Sequence, residues 1–292
     1  MKVYILIPTR NRKDFLLQCL KSLRQQTYKD IEIVIIDDGS TDGTKDVLSK
    51  EKVTLLKGDG NLWWTGAMRM GVEYVLPKAN KSDYILIQND DTYMSPKYIG
   101  ELVRLSEENK RICLGTTLVE KEKGKKIYNS HRIVRGSFRP VLVESEEEII
   151  ETETISGRGA LIPVEVFQSI DNFSKLFPQY ASDYDFFCRA KRKGFRLGVS
   201  NNIETVSTNP KPNLSKRIKS NKKISFKDFL QLYFSRRSSN NLWSSTLITI
   251  LYVPWRYKIY GVGRIYLSVI KVVIIDFLFK TFTNYFIKSL LI

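Results

Sequence analysis

The chain has 292 residues, of which 42% are hydrophobic and 27% charged, and carries a formal net charge of +16. That length allows one large domain with an appendage or two modest domains, and the composition excludes a disordered polypeptide. Three widely spaced cysteines, Cys19, Cys113 and Cys188, exclude a disulfide framework and a zinc site and read as reduced residues of a cytosolic protein.

Lys2 to Ile7 predicts a first strand, too short for a signal-peptide core and broken at Pro8, so export by a cleaved leader is not expected. Pro8-Thr9-Arg10-Asn11-Arg12 is the loop that leaves it. Phe15, Leu16, Cys19, Leu20 and Leu23 recur at helical spacing, with Asn11 expected as N-cap. Ile31 to Ile36 predicts a second buried strand, ending in Asp37-Asp38-Gly39-Ser40-Thr41-Asp42-Gly43-Thr44. There Gly39 permits a tight turn, and Ser40 or Asp42 can cap the next helix. Val53 to Leu56 predicts a third strand, and Gly58 to Gly66 a loop opening a helix that runs to Leu76. Tyr84 to Gln88 is a fourth strand, buried on both faces, with Asn89, Asp90 and Asp91 at its C-terminal end.

Strands alternating with helices predict an α/β fold, a mostly parallel sheet with helices on both faces. The loops after the four strands then share one edge, which collects Thr9, Arg10, Asn11, Asp37, Asp38, Asn61, Asp90 and Asp91. At that edge open parallel sheets bind ligands. Adjacent carboxylates repel unless a cation lies between them, and their hard oxygens suit Mg²⁺ or Mn²⁺ shared with substrate phosphates. A solvated Asp-rich turn accounts for the same residues.

Pro96 predicts the start of a helix to Glu108, and Ile112 to Thr117 a further strand. Glu120 to Glu153, polar and short of apolar runs, reads as a hairpin or loop covering the site, with His131 at the surface. Ile155 to Pro163 has glycines that would either line a substrate cleft or bend a strand. Tyr180 to Ala190 opens a helix ended by Gly194, with Ser182 or Asp183 at its start. Asp183 is either a cap complementing the helix dipole or a general base.

These segments together resemble family 2 glycosyltransferases of the GT-A fold. The resemblance is carried by P-T-R-N-R at 8–12, I-V-I-I-D-D-G-S-T-D at 33–42, G-N-L-W-W-T-G-A-M at 60–68 and I-Q-N-D-D-T at 87–92. It continues through G-R-G-A-L-I-P at 157–163 and Y-A-S-D-Y-D-F-F-C-R-A-K-R-K-G at 180–194. It implies an inverting transfer of a sugar from a nucleotide-diphosphate donor, a UDP- or dTDP-sugar, to a glycan or lipid-linked glycan hydroxyl in surface polysaccharide biosynthesis. Pro8, Thr9, Arg10, Asn11, Arg12, Asp37 and Asp38 would then hold the base and ribose, and Asn61, Trp64, Gly66 and Arg69 flank the nucleotide and donor sugar. Asn89-Asp90-Asp91 would occupy the place of the family's D-x-D motif, with Asp91 the direct ligand of Mg²⁺ or Mn²⁺. Asp183 would be the base, and Gly157, Arg158, Gly159 and Ser182 would contact the acceptor. Asn89 and Ser182 depart from the family's usual Asp and Glu. Trp63-Trp64 is faintly similar to the rhamnosyltransferase-like branch.

The remaining charge lies in the tail. Residues 209–292 carry 15 Lys and Arg against Asp228 and Asp276, a net charge of +13, which leaves +3 for residues 1–208. Residues 209–292 are therefore expected as a separate basic amphipathic helical region. Polar stripes at Arg264, Ser268 and Lys271 and at Lys280, Asn284 and Lys288 oppose wide apolar faces, and no run reaches the about 20 residues that cross a bilayer. Peripheral attachment to anionic lipid on the cytoplasmic side of the membrane is expected, or contact with a second subunit in a homodimer. Nucleic acid is not an expected partner, because the basic charge is interleaved with apolar faces that a groove would not need. A basic nucleic-acid or membrane-binding protein without catalysis is the alternative class, and a glycoside hydrolase would share the paired carboxylates but not the nucleotide edge.

Overall fold

Apolar runs that no charge interrupts become the centre of one mixed sheet. The structure is a computed structural model and describes residues 1–134, 136–208 and 225–274. β1 (Val3–Thr9), β2 (Ile31–Asp37), β3 (Thr54–Lys57) and β4 (Tyr84–Ile87) run parallel in the order β3-β2-β1-β4. The register pairs Thr9 with Asp37 and Leu6 with Ile87. Strand order reverses between β1 and β4, which opens a crevice beyond their carboxyl ends.

The second half adds β6 (Cys113–Glu120), β11 (Ala160–Pro163) and β12 (Leu197–Ser207), giving β10-β12-β6-β11-β4 with β10 (Ile149–Glu151) at the edge. β11 lies antiparallel between β4 and β6, whereas β12 runs parallel to β6 with a register shift between Ser200 and Glu204. Short strands β5 (Thr92–Tyr93) and β7 (Lys125–Tyr128) pair with β12 and β6. β8 (Ser130–Val134) and β9 (Ser137–Val141) form a separate hairpin.

The pleat sorts the core. Val3, Ile5 and Ile7 face α1 (Lys13–Arg24) and α4 (Tyr98–Glu108), which supply Leu16, Leu20, Leu23, Ile99 and Leu102. Tyr4 and Leu6 face the other way, toward α3 (Trp63–Val75), α5 (Val164–Ile170) and α6 (Ser182–Arg192). Each fully buried Leu or Ile contributes about 1.5–3 kcal/mol, so both faces must be covered before the sheet is stable.

Helix starts differ from expectation. Asn11 does not cap α1: it lies in the left-handed region at φ 51° and its side chain accepts from Thr41 N at 2.7 Å. Asp42 does the capping, and does it twice. One oxygen accepts Lys13 N at 3.0 Å, and the other accepts Thr44 N at 3.1 Å, at the start of α2 (Thr44–Leu48). All three cysteines are buried and free.

The chain divides into two units, one of Met1–Arg132 and Phe138–Pro210, the other of Ile133–Ser137 with the described C-terminal helices. Those helices are α7 (Phe226–Phe234), α8 (Leu242–Tyr252) and α9 (Trp255–Val272). A complete capping box between Ser225 and Asp228 starts α7. Leu232 and Tyr233 of α7 form a small core with Leu242, Val269 and Val272. Gly136 packs so closely on Gly261 that a Cβ would lie 2.8 Å from its Cα. Among the described residues no helix is long and apolar enough to cross a membrane. The basic linker at 209–224 and the stripe at Lys280, Asn284 and Lys288 lie outside the described residues.

Candidate active site

Three loops and one helix start meet beyond the carboxyl ends of β1, β2 and β4. Thr9, last residue of β1, donates its hydroxyl to Asp90 Oδ2 at 2.9 Å and so bridges the crevice where strand order reverses. Arg12 then spans the acidic pair: Nε lies 3.3 Å from Asp90 Oδ1 and a terminal nitrogen 2.8 Å from Asp91 Oδ2. Both carboxylates are buried, and burial pushes Asp90 up to about 7 against the pull of Arg12. Asn89 contributes its backbone carbonyl, which accepts Thr92 Oγ1 at 2.7 Å.

The β2 loop brings its own pair. Asp37 accepts Ser40 N at 3.0 Å, and Asp38 accepts Gly60 N at 2.8 Å, Leu62 N at 3.2 Å and Trp63 N at 3.3 Å. Asp38 therefore winds the loop that opens α3, with Trp63 held at φ 58°. Arg10 donates to Gly60 O and lies 3.9 Å from Asp38. Pro8 ends the apolar part of β1, and Asn61 is exposed at the loop tip.

Several of the expected site residues also carry contacts within the chain. Arg69 commits its guanidinium to Phe173 O at 2.6 Å and Glu73 at 3.2 Å, tying α3 to the segment after α5. Gly66 faces Leu62 of its own helix start. Ser182 is fully buried, and its hydroxyl has no hydrogen-bond partner among the described residues. His131 is not a surface residue. It is 2% exposed, with its ring edge-on to Tyr128 at 5.0 Å and Tyr184 at 5.2 Å, and burial pulls it down to about 4, so it is neutral.

Asp183 stands in the first turn of α6, just after Ala181, which adopts φ 70°. Strained backbone of this kind persists only when its surroundings hold it. Here Asp183 Oδ2 accepts Gly157 N and Oδ1 accepts Tyr184 N, both at 2.9 Å. Burial raises its pKa above the usual carboxylate range despite those bonds. Gly159 N, two residues on, donates to Ile87 O at 3.1 Å, so the Gly157–Gly159 segment joins Asp183 to the end of β4. Gly157 also packs on Trp64, where a Cβ would come within 2.7 Å of the ring. Gln179 joins the site through its side chain, which accepts Trp64 N at 3.0 Å, a contact that nothing in Phe177-Pro178-Gln179-Tyr180 signals.

The mixed sheet, with its parallel β3-β2-β1-β4 half and helices on both faces, is the GT-A fold of the glycosyltransferases. Residues 4–171 match the family model described as Glycosyl transferase family 2, and the chain belongs to that family. It is 26% identical over 227 residues to the poly(ribitol-phosphate) beta-glucosyltransferase of Bacillus spizizenii, covering 68% of this chain and 34% of that one. Over 108 residues it is 34% identical to the UDP-Glc:alpha-D-GlcNAc-diphosphoundecaprenol beta-1,3-glucosyltransferase of Escherichia coli, covering 37% of this chain and 42% of that one. The alignments thus span well under two thirds of either relative. S. aureus TarS 1–349 in complex with UDP superposes with a TM-score of 0.59 at 16% identity, covering 94% of this chain and 72% of that one.

Proposed function

We propose that this glycosyltransferase moves a sugar from a UDP- or dTDP-sugar to a hydroxyl of a lipid-linked glycan, in surface polysaccharide biosynthesis, by a single displacement that inverts the anomeric centre. The observation that carries the reading is the Gly157–Gly159 segment, bonded to Asp183 at one end and to the last residue of β4 at the other. A base candidate and the Asp90/Asp91 pair thereby border one edge. A sugar hydroxyl is too weak an acid to ionise alone, and a carboxylate in hydrogen-bond reach takes its proton as attack proceeds. The raised pKa of Asp183 suits that task better than an ordinary aspartate would.

The residues fit a divalent cation. Among the described residues no cluster of three or more His, Cys, Asp or Glu side chains could hold one alone. Mg²⁺ or Mn²⁺ ordinarily takes only one or two carboxylates when substrate phosphates supply further oxygens, and the burial that raises Asp90 is relieved by a nearby cation. Asp91 would hold the ion with Asp90 beside it, and the ion would supply Lewis-acid neutralisation of the departing diphosphate. Release of nucleoside diphosphate from a panel of UDP- and dTDP-sugars tests the whole reading. The matched donor is expected to be turned over, with chelation or Asp91→Ala lowering the rate by roughly tenfold or more. Turnover indifferent to chelation would remove the metal, and no turnover of any donor would remove the function.

The C-terminal helices support attachment to the cytoplasmic membrane surface. Trp255, Ile259, Tyr266 and Ile270 fall within one narrow face of α9 at 100° per residue, with Trp255 84% and Ile259 89% exposed, while Arg264 falls opposite. Lys227, Arg236, Arg237, Arg256, Lys258 and Lys271 complete the cationic surroundings of that unit. Such helices lie in the interface of anionic bilayers. The full chain is expected to float with vesicles containing anionic lipid and not with neutral ones, and the double change Trp255→Ser, Ile259→Ser to weaken flotation. A full chain that stays at the bottom and sediments as a dimer would assign the face to a second copy.

A further inference from the structure

The acidic edge must accept anionic phosphates, and its arginines differ in how far they are already spoken for. Arg10 is held by Gly60 O and Asp38, and Arg12 by Asp90 and Asp91. Arg158 makes no hydrogen bond or ion pair with any described residue, although it is no more than partly exposed. A guanidinium carries five donors, and here the described residues supply an acceptor to none of them. Its position is nevertheless closely fixed. The residue before it is bonded to Asp183 and packed on Trp64, and the residue after it is bonded to Ile87 O at φ 79°. Thr116, Tyr128, Ser156 and the uncharged His131 are among the residues that line the same recess. Asp91 and Asp183 lie within its electrostatic reach without pairing to it.

We propose that Arg158 is a phosphate-oxyanion site of the cleft, lying between the acidic pair at the end of β4 and the carboxylate at the start of α6. This rests on the transferase reading and extends it, because no acceptor contact through a neutral hydroxyl would need a full positive charge there. Two phosphate sources share this chemistry: the diphosphate of the donor, and a phosphate carried by the acceptor. In either case the planar fork binds two oxygens at once, and charge-assisted bonds of that kind are about twice as strong as neutral ones.

Inorganic pyrophosphate and UDP, titrated calorimetrically into the full chain, are the probes. Arg158→Gln is expected to weaken pyrophosphate binding by roughly tenfold or more, Arg158→Lys by less, with melting temperatures of both variants at the wild-type value. If saturating UDP blocks the Arg158-dependent binding, the site takes the donor diphosphate. If pyrophosphate binds on top of UDP, it takes an acceptor phosphate. Equal pyrophosphate affinity in wild type and Arg158→Gln would overturn the proposal. A wild type that binds pyrophosphate through Arg158 yet releases no nucleoside diphosphate from any sugar donor would sink the transferase reading and leave the oxyanion site standing.

Discussion

Asp183→Asn is expected to lower sugar transfer by roughly two to four orders of magnitude while the donor still binds. The amide matches the carboxylate in shape but cannot take a proton from the attacking hydroxyl. It also keeps only one acceptor for the two N–H groups of Gly157 and Tyr184 that Asp183 now satisfies. A stability loss of about 1–3 kcal/mol should therefore accompany the kinetic defect, and donor titration at a temperature well below melting separates the two. In the wild type the same burial fixes the pH response. A base must be deprotonated to act, and its raised pKa moves the acid limb of kcat/KM above the pH at which an ordinary aspartate would place it. Rate should fall as pH drops through that limb, and the limb should be absent from the residual activity of Asp183→Asn. Transfer near the wild-type rate in the variant would remove Asp183 from this role.

Gly159→Ala is the change expected to damage the fold most. The residue sits at φ 79°, and a Cβ would lie 2.3 Å from Tyr98 Oη, 2.5 Å from Thr205 Oγ1 and 2.7 Å from Thr116 Oγ1. These three hydroxyls bond one another at 2.8 and 2.7 Å across α4, β6 and β12, so none can retreat without breaking a buried bond. Left-handed backbone costs an alanine about 1–2 kcal/mol and overpacking about 1–3 more. Thermal unfolding should show a fall of several degrees, and because Arg158 adjoins the strained residue, pyrophosphate binding should drop with it. An unchanged melting temperature would mean that the hydroxyl cluster yields without cost.

How much of this was legible beforehand depends on where each signal resides. Three of the four parallel strands announce themselves because Val3 to Ile7, Ile33 to Ile36 and Tyr84 to Ile87 are apolar without interruption, as a strand covered on both faces requires. β12 is invisible by the same criterion. Asn201, Asn202 and Glu204 break its pattern, and it is a strand because β6 and β10 offer it partners from distant parts of the chain. The orientation of β11 is likewise a property of the sheet; Ala160-Leu161-Ile162-Pro163 would read the same in either direction.

The carboxylates of the edge were legible as a cluster at one end of the sheet but not in the bonds they make. Asp38 was expected, with Asp37, to hold the base and ribose of a donor; that it also gathers three backbone N–H groups is set by how closely the Gly58–Trp63 loop approaches. His131 was expected at the surface because its neighbours Ser130 and Arg132 are polar. One of the two rings that cover it belongs to Tyr184, more than fifty positions away, which no local pattern can register.

Asp42 clamps the chain at two helix starts with one side chain. The P-T-R-N-R turn and the D-D-G-S-T-D turn are thus latched together, so neither can swing out alone. Any gate on this side of the molecule would have to be sought in the segments around Trp63 and Ala181 instead, and amide exchange should report Lys13 and Thr44 opening in step.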